Sequence, residues 1–317
     1  FALSTGTNTI HLRNGSEITG DLEAAELDGN DNIILENGTL IDGNVDLDGG
    51  ANSVVLSGDA HITGDLTMDA TTDDNTLNFS GTGQKIQGDI FLTGPNNIVI
   101  LNNLTSLQTE MLNAGGWDWT TVKSLTINNG ATFTDAGITD IVLATGVLHT
   151  VDLTNATIEE NIDLTLGDGA DVDLSNSEID GNLSLSNNTN TIDLIANSTI
   201  TGNLIGGDGG DTINLNSSSI DGTVDLGDTV ANELNLANNS TIGGTVTGGD
   251  AADTLTLTGN SQINAAVDLE GGNNVISLTN SDITAGGLTT TTGDDSLTMR
   301  QGSSITGDVD LGTGDSQ

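Results

Sequence analysis

Aspartate residues in glycine-rich turns are the side chains of this sequence that could do chemistry. Asp208 and Asp211 stand three residues apart in GGDGGDTIN, and Asp250 and Asp253 repeat that spacing in GGDAADTLT. Carboxylate and carbonyl oxygens held together are the ligands that Ca²⁺ takes in proteins. These four residues are therefore a candidate calcium site. The alternative, which we favour, is an Asx turn, in which the side chain bonds nearby backbone N–H groups and no cofactor is needed.

The first of these stretches matches a known pattern. Residues 206–214 agree with the nonapeptide G-G-x-G-x-D-x-U-x at each fixed position. The stretch resembles the β-roll of the repeats-in-toxin proteins, and the resemblance implies calcium ligands from Asp side chains and backbone carbonyls. That family repeats the motif every nine residues, so that adjacent turns share ions. This chain has one full match and one near match, with Ala251 in place of glycine.

Two further sets of side chains are candidates for binding a ligand. Trp117 and Trp119 are two residues apart, so both rings lie on one side of an extended segment. Exposed aromatic rings are typical anchors for a partner, although the two rings could equally cover an apolar patch of the fold. Asp152, Asp173 and Asp193 occupy the same position in consecutive repeats and are predicted to form an outward acidic stripe.

These residues are positioned by a repeat that runs along most of the chain. Asn or Asp stands two residues before an apolar-x-apolar pair, and the last six of these residues alternate strictly, 21 residues apart. We call this set the Asx ladder: Asn8, Asp31, Asn52, Asn75, Asn96, Asn190, Asp211, Asn232, Asp253, Asn274 and Asp295. A fixed period of this length is typical of a solenoid. Because stacked Asp residues would repel one another, the alternation predicts a double repeat.

Aliphatic residues and glycine also recur at fixed positions in each coil. In one coil Ile213 and Leu215 alternate with polar residues, Ile220 follows after a short turn, and Gly222 precedes a further alternating pair that begins at Val224. Such alternation predicts short strands with one buried face, and the glycine predicts a bend or a close backbone approach. The sequence therefore predicts an all-β fold, a parallel β-helix (β-solenoid) of about 14 coils of about 21 residues, right-handed rather than left-handed.

Charge excludes several classes of partner. The 317 residues include 46 Asp and Glu against 4 Lys and Arg, a net charge of −42, so nucleic acid and anionic membrane surfaces are repelled. No apolar run is long enough to cross a bilayer as a helix, and we expect no direct membrane insertion. The simplest interpretation of the charge is solubility, because like charge keeps edge-bearing β structures apart. The alternative is neutralisation by cations or by a basic partner.

The repeat loosens between residues 104 and 150. Lys123 and His149 stand at the ladder position there, and the segment that contains both tryptophans is longer than any other turn. We therefore divide one continuous solenoid into regular coils over 1–103, irregular coils with an inserted loop over 104–150, and double-repeat coils over 151–317. The three histidines are expected on the solvated surface: His11, His61 and His149.

Nearly the whole chain resembles the β-helical passenger domains of bacterial autotransporter adhesins, notably the self-associating type. The resemblance rests on the repeat length, the Ile-x-Gly corners, the absence of Cys and the turns rich in Asn, Thr and Gly. The resemblance is architectural and carries no site residues. It implies an extracellular or cell-surface location and a role in bacterial aggregation, biofilm formation or attachment to a host. The implied partner is a second copy of the chain, or a host surface protein or glycan. We expect the chain to be a piece of a longer protein.

Two alternative functions use the same fold. A calcium-stabilised stalk of a large secreted adhesin would depend on the Asp-containing turns. A carbohydrate-active β-helix enzyme would need a pair of carboxylates for acid and base catalysis. Asp and Glu are so frequent in this chain that a pair of them does not indicate an active site. Clustered Lys or Arg and several aromatic residues, which such enzymes commonly use against sugars, are lacking. We therefore expect a protein that is not an enzyme and has no catalytic residues.

Overall fold

A computed structural model describes residues 1–24, 29–69, 73–81, 83–94, 96–102, 119–128, 132–133 and 140–314. These residues form parallel β-strands that stack about 21 residues apart, so the predicted all-β solenoid is confirmed. The chain divides into two compact units, Phe1–Glu159 and Glu160–Gln317. Within the described residues the one helical element is a 3-10 turn, Trp119–Thr121.

The first unit contains three strands per coil, which we call the first, second and third strand. Each kind pairs in parallel with its own kind in the adjacent coil. The first strands are Thr9–Leu12, Asn32–Glu36, Ser53–Ser57, Thr76–Ser80, Asn97–Asn102, Val122–Asn128 and His149–Thr154. The second strands are Glu17–Thr19, Leu40–Asp42, His61–Ile62, Lys85–Ile86, Thr132–Phe133 and Thr157–Ile158. The third strands are Leu22–Glu23, Val45–Leu47, Leu66–Met68, Ile90–Leu92 and Asp140–Val142.

The second unit has the same three strands per coil and is more regular. Its first strands are Ala170–Ser175, Asn190–Ile195, Thr212–Asn216, Glu233–Ala237, Thr254–Thr258, Val275–Thr279 and Ser296–Arg300. The second strands are Glu178–Ile179, Thr199–Ile200, Ser219–Ile220, Thr241–Ile242, Gln262–Ile263, Asp282–Ile283 and Ser304–Ile305. The third strands are Asn161–Asp163, Leu183–Ser184, Leu204–Ile205, Val224–Asp225, Val246–Thr247, Val267–Asp268, Leu288–Thr289 and Val309–Asp310.

The core of the second unit consists of aliphatic columns, as the sequence predicts. Ile179, Ile200, Ile220 and Ile242 pair in register on consecutive second strands, and none is exposed. The inward residues of the first strands stack in the same way. β-Branched side chains suit this arrangement because they pack well on a pleated surface. Each coil therefore buries its apolar residues mainly against the coils on either side.

The glycine that follows the isoleucine by two residues marks a close approach of backbones. The N–H of Gly222 donates to the carbonyl of Gly202 at 3.1 Å, and the N–H of Gly244 donates to the carbonyl of Gly222 at 2.8 Å. A Cβ added to Gly222 would collide with the Gly202 carbonyl. The predicted role of this glycine is thus confirmed, and its cause is lack of room between adjacent coils.

The ladder position in the fifth coil was predicted one residue too early. Asn97, not Asn96, is fully buried and opens the first strand, with Val99 and Leu101 facing inward. Residues 98–101 are all apolar, so no alternation in the sequence fixes which face is buried, and a shift by one residue reverses the faces. Pairing with the adjacent coil decides the register.

The expectation that His149 is solvated is also wrong. Its ring is fully buried, and Nε2 lies 2.6 Å from the carbonyl oxygen of Ala144. At the ladder position it thus hydrogen-bonds a turn carbonyl, as Asn75 does when its Nδ2 donates to Met68 O at 3.0 Å. A buried imidazole is tolerated because its ring nitrogen has this partner.

Candidate functional site

The Asx ladder joins each coil to the next through side-chain oxygens. In the second unit the backbone N–H of each ladder residue except the last donates to Oδ1 of the ladder residue one coil later, at 2.9 to 3.1 Å. The chain of bonds runs through Asn190, Asp211, Asn232, Asp253, Asn274 and Asp295. These N–H groups lie where the turn enters the first strand and would otherwise be buried without a partner. The ladder oxygens therefore bond backbone N–H groups, as the alternative to a metal site predicts, but these bonds join adjacent coils and do not close a local Asx turn.

Asn and Asp differ within the ladder because Nδ2 of Asn donates hydrogen bonds, whereas Oδ2 of Asp can only accept them. Nδ2 of Asn232 donates to the turn carbonyl of Val230 at 2.9 Å and to Oδ1 of Asp253 at 3.1 Å. Oδ2 of Asp295 accepts from the Thr290 hydroxyl at 2.9 Å. Oδ2 of Asp211 and of Asp253 is buried and has no donor in good hydrogen-bond geometry among the described residues. The backbone N–H groups of Gly207 and Gly249 nevertheless lie near enough to these carboxylates to lower their pKa.

Burial sets the protonation behaviour of these two carboxylates. It raises the pKa of Asp211 to about 6, although the hydrogen bonds from Asn190 oppose the shift. Burial likewise raises the pKa of Asp253, against the hydrogen bonds from Asn232. Removing an acid from water disfavours its charged form. The hydrogen bonds to the carboxylate offset only part of the free-energy cost of burying that charge. Asp211 and Asp253 are thus the ladder residues whose ionisation works against the fold.

The four residues of the candidate calcium site occupy two different environments. Asp211 and Asp253 are 1 % exposed and belong to the ladder, whereas Asp208 and Asp250 are exposed in the turns that precede them. In the part of the chain that the structure describes, no group of three or more His, Cys, Asp or Glu side chains is placed to hold a metal ion. Calcium binding therefore stays a prediction from the motif.

The predicted acidic stripe is in part assembled. Within the second unit, Asp173 and Asp193 lie directly opposite each other on adjacent first strands. Asp193 also accepts a hydrogen bond from Nδ2 of Asn214, at 2.7 Å, and the position continues as Asn235. Asp152 belongs to the first unit, where it pairs with Thr126.

Of the two tryptophans predicted to bind a ligand, only Trp119 lies within the described residues. Trp119 begins the 3-10 turn Trp119–Thr121. Trp117 lies outside the described residues. Their role as ligand-binding residues stays a prediction.

A serine ladder was not predicted. In seven consecutive coils of the second unit a serine stands two residues before the isoleucine of the second strand. The N–H of each of the first six donates to Oγ of the serine one coil later, at 3.2 to 3.3 Å. The residues are Ser177, Ser198, Ser218, Ser240, Ser261, Ser281 and Ser303. Each hydroxyl also donates to a carbonyl two or three residues earlier. The Ser-x-Ile repeat was the signal that could have revealed it.

One outward surface of the second unit is almost free of charge. We define the neutral face as the outward residues of its last five first strands: Thr212, Asn214, Asn216, Glu233, Asn235, Ala237, Thr254, Thr256, Thr258, Val275, Ser277, Thr279, Ser296, Thr298 and Arg300. It contains one acidic and one basic residue. Its remaining side chains are hydroxyls, amides and two small apolar groups.

The third strands of the same unit and the turns that follow them are acidic. We define the acidic edge as Asp225, Asp228, Asp250, Asp268 and Glu270. Desolvation raises the pKa of Glu270, and the carboxylates of Asp268 and Asp228 raise it further. Like charges this close favour protonation of one member. The second unit thus separates an acidic edge from a face whose single acidic and single basic residue cancel in charge.

No protein-family model matches the chain, and no curated protein or solved structure is significantly similar to it. Among the described residues no helix is long and apolar enough to cross a membrane.

Proposed function

We propose that the chain is a segment of a bacterial cell-surface adhesin whose copies associate with one another. The observation that carries this proposal is the neutral face of the second unit. Two copies that each carry a net charge of −42 repel each other wherever carboxylates meet. The neutral face is a surface on which they can approach without that repulsion. A face that carries both donors and acceptors can also pair with itself around a two-fold axis.

The size of the neutral face indicates a weak contact. Five strands at about 4.8 Å and five residues at about 3.3 Å give a patch of roughly 400 Å². A standard interface buries about 800 Å² on each partner. A single contact of this size is weak, so cells would be held together by many contacts acting at once. This is the behaviour expected of an adhesin displayed in many copies on an extracellular surface.

The test is aggregation of beads that display the chain in many copies. Thr256 lies opposite Asn235 and Ser277 near the centre of the neutral face, so Thr256→Asp places a charge there. We expect this variant to reduce the rate of bead aggregation at least about tenfold, equivalent to 1.4 kcal/mol. Moderate salt should speed aggregation of the wild type, because the Debye length falls to about 10 Å at 0.1 M and screens the remaining repulsion.

The matched control is Thr245→Asp, in the turn that precedes the third strand. Thr245 is exposed, and Thr223 and Ala266 occupy its position in the coils on either side, so the added charge stacks on no carboxylate. The control adds the same charge without touching the neutral face and should aggregate like the wild type. Equal loss in both variants would assign the effect to net charge. Wild-type beads that never aggregate would refute homotypic association and leave a host surface protein or glycan as the partner to test.

A further inference from the structure

A recess opens between coils of the second unit at the turn that joins the first strand to the second. In this turn Ser217 alone has a positive φ, 55°, whereas the coil before it uses two such residues, Ala196 and Asn197, and the coil after it uses Asn238 and Asn239. The coil of Ser217 is therefore one residue shorter here than both of its neighbours. A short turn between two longer ones leaves a shallow recess of about 190 Å³ that is open to solvent, which we call the notch.

The walls of the notch are polar and uncharged. They include Asn197, Thr199, Ser217, Asn239 and Thr241, and none of the lining residues is ionisable. The side chains of Asn197, Ser217 and Thr241 form no hydrogen bond with the rest of the described structure. The notch thus offers an amide and two hydroxyl groups whose bonding capacity is free for a ligand.

We propose that the notch binds a single neutral sugar residue. Hydroxyl and amide groups both donate and accept, which matches the adjacent hydroxyls of a sugar ring. The volume is below the roughly 300–1,000 Å³ of pockets that enclose larger ligands, so one ring is the size that fits. An anionic sugar is disfavoured because the chain carries a net charge of −42.

The affinity should be low and the site separate from the neutral face. No aromatic ring lines the notch, so binding depends on hydrogen bonds that replace bonds to water. A dissociation constant on the order of 10 mM is therefore expected, corresponding to about −2.7 kcal/mol. The notch lies in a turn and shares no lining residue with the neutral face, so this proposal does not depend on homotypic association.

The chain supplies its own variant for filling the notch. Asn280 occupies the place of Ser217 in a later short turn, with φ 50°, and its Nδ2 donates to Oδ1 of Asn260 at 2.8 Å. Asn197 holds the place of Asn260 one coil before Ser217. Ser217→Asn should therefore fill the notch with a side chain and a backbone conformation that this fold already uses.

The experiment is an amide-detected NMR titration with methyl α-glucoside, methyl β-galactoside and methyl α-mannoside, with glucuronate as the charged comparison. We expect saturable shifts, from at least one neutral glycoside, at the amides of Asn197, Ser217 and Thr241. Ser217→Asn should weaken them at least about tenfold, or 1.4 kcal/mol. A spectrum unchanged away from the turn shows that this variant folds.

Three results would overturn the proposal. They are no shift with any neutral glycoside, shifts spread evenly over the turns of all coils, and shifts that persist at full strength in Ser217→Asn. Failure of bead aggregation would leave these outcomes unaffected, so the two proposals are tested separately.

Discussion

The backbone N–H and the side-chain Nδ2 of Asn190 both donate to one atom, Oδ1 of Asp211, at 3.1 and 2.7 Å. The other carboxylate oxygen of Asp211 is buried and has no such donor among the described residues. One carboxylate oxygen is therefore well satisfied and the other is not. The same arrangement recurs 42 residues later between Asn232 and Asp253. Alternation of Asn with Asp thus supplies donors to the acids but does not satisfy them fully.

The stability of the second unit should fall as pH rises from about 4 to about 6. Asp211 has a pKa of about 6 in the fold, against about 3.9 unfolded. Because the folded pKa is raised, the folded state binds the proton more tightly. The stabilising contribution is full below the unfolded pKa and is lost as pH rises through the folded pKa. Two pKa units correspond to at most about 3 kcal/mol.

Asp211→Asn tests this dependence. The amide keeps Oδ1 as an acceptor for Asn190 and removes the titration, so at pH above about 6 the variant should be more stable than the wild type by up to about 3 kcal/mol in urea unfolding. The advantage should shrink toward about pH 4. Asp208→Asn is the control because it removes the same charge from an exposed position three residues away. An equal effect of both variants would assign the pH dependence to net charge.

Calcium should not stabilise the chain more than magnesium does at equal ionic strength. The described residues contain no group of three acidic side chains placed to hold a metal ion, and Ca²⁺ takes six to eight oxygens. Both cations should raise the melting temperature equally by screening the negative charge. A specific site would add about 2.7 kcal/mol at 100 times its dissociation constant. A calcium-specific increase that is lost in Asp208→Asn or Asp250→Asn would establish the motif as a true site.

Ile220→Ala should destabilise the second unit by about 2–5 kcal/mol, because it removes three buried carbons from a packed column and leaves a cavity. Ile220 is 0 % exposed and stacks between Ile200 and Ile242. Ile205→Ala is the control, since Ile205 is 41 % exposed, and should change the free energy of unfolding by less than about 1 kcal/mol. Denaturant unfolding of both variants measures the difference. Similar losses would mean that the columns are not the stabilising core.

Ser240→Ala should destabilise by about 1–3 kcal/mol, despite the small change in volume. Ser240 is fully buried, its hydroxyl donates to the carbonyl of Ala237 at 2.6 Å, and its Oγ accepts the N–H of Ser218 at 3.3 Å. The variant leaves that N–H buried without a partner. Ser277→Ala, on the neutral face, removes an outward hydroxyl and should have little effect on unfolding. A loss as large at Ser277 would show that the serine ladder has no special role.

Much of the fold could be read from the chain because its elements repeat locally. Alternation at Ile213 and Leu215, the isoleucine column and the corner glycine depend on short-range spacing, and the structure confirms all three. The Asx ladder was also predictable, since Asn and Asp before a strand bond to backbone N–H groups. The four residues from Ile98 to Leu101 are all apolar and show no alternation, and the ladder position predicted before them was wrong by one residue.

The candidate sites depended on contacts between coils, which no single repeat encodes. The buried N–H of Asp211 has its acceptor, Oδ1 of Asn232, one coil away, whereas the second carboxylate oxygen of Asp295 is satisfied within its own turn by Thr290. The notch at Ser217 requires the longer turns stacked on either side together with a side chain as small as serine, because Asn280 fills the same place in a later coil. The sequence by itself determined the period, the strands and the buried columns, because these follow from local alternation. Tertiary stacking decided register, satisfaction of buried polar groups and the shape of the surface, because these arise between residues about 21 positions apart.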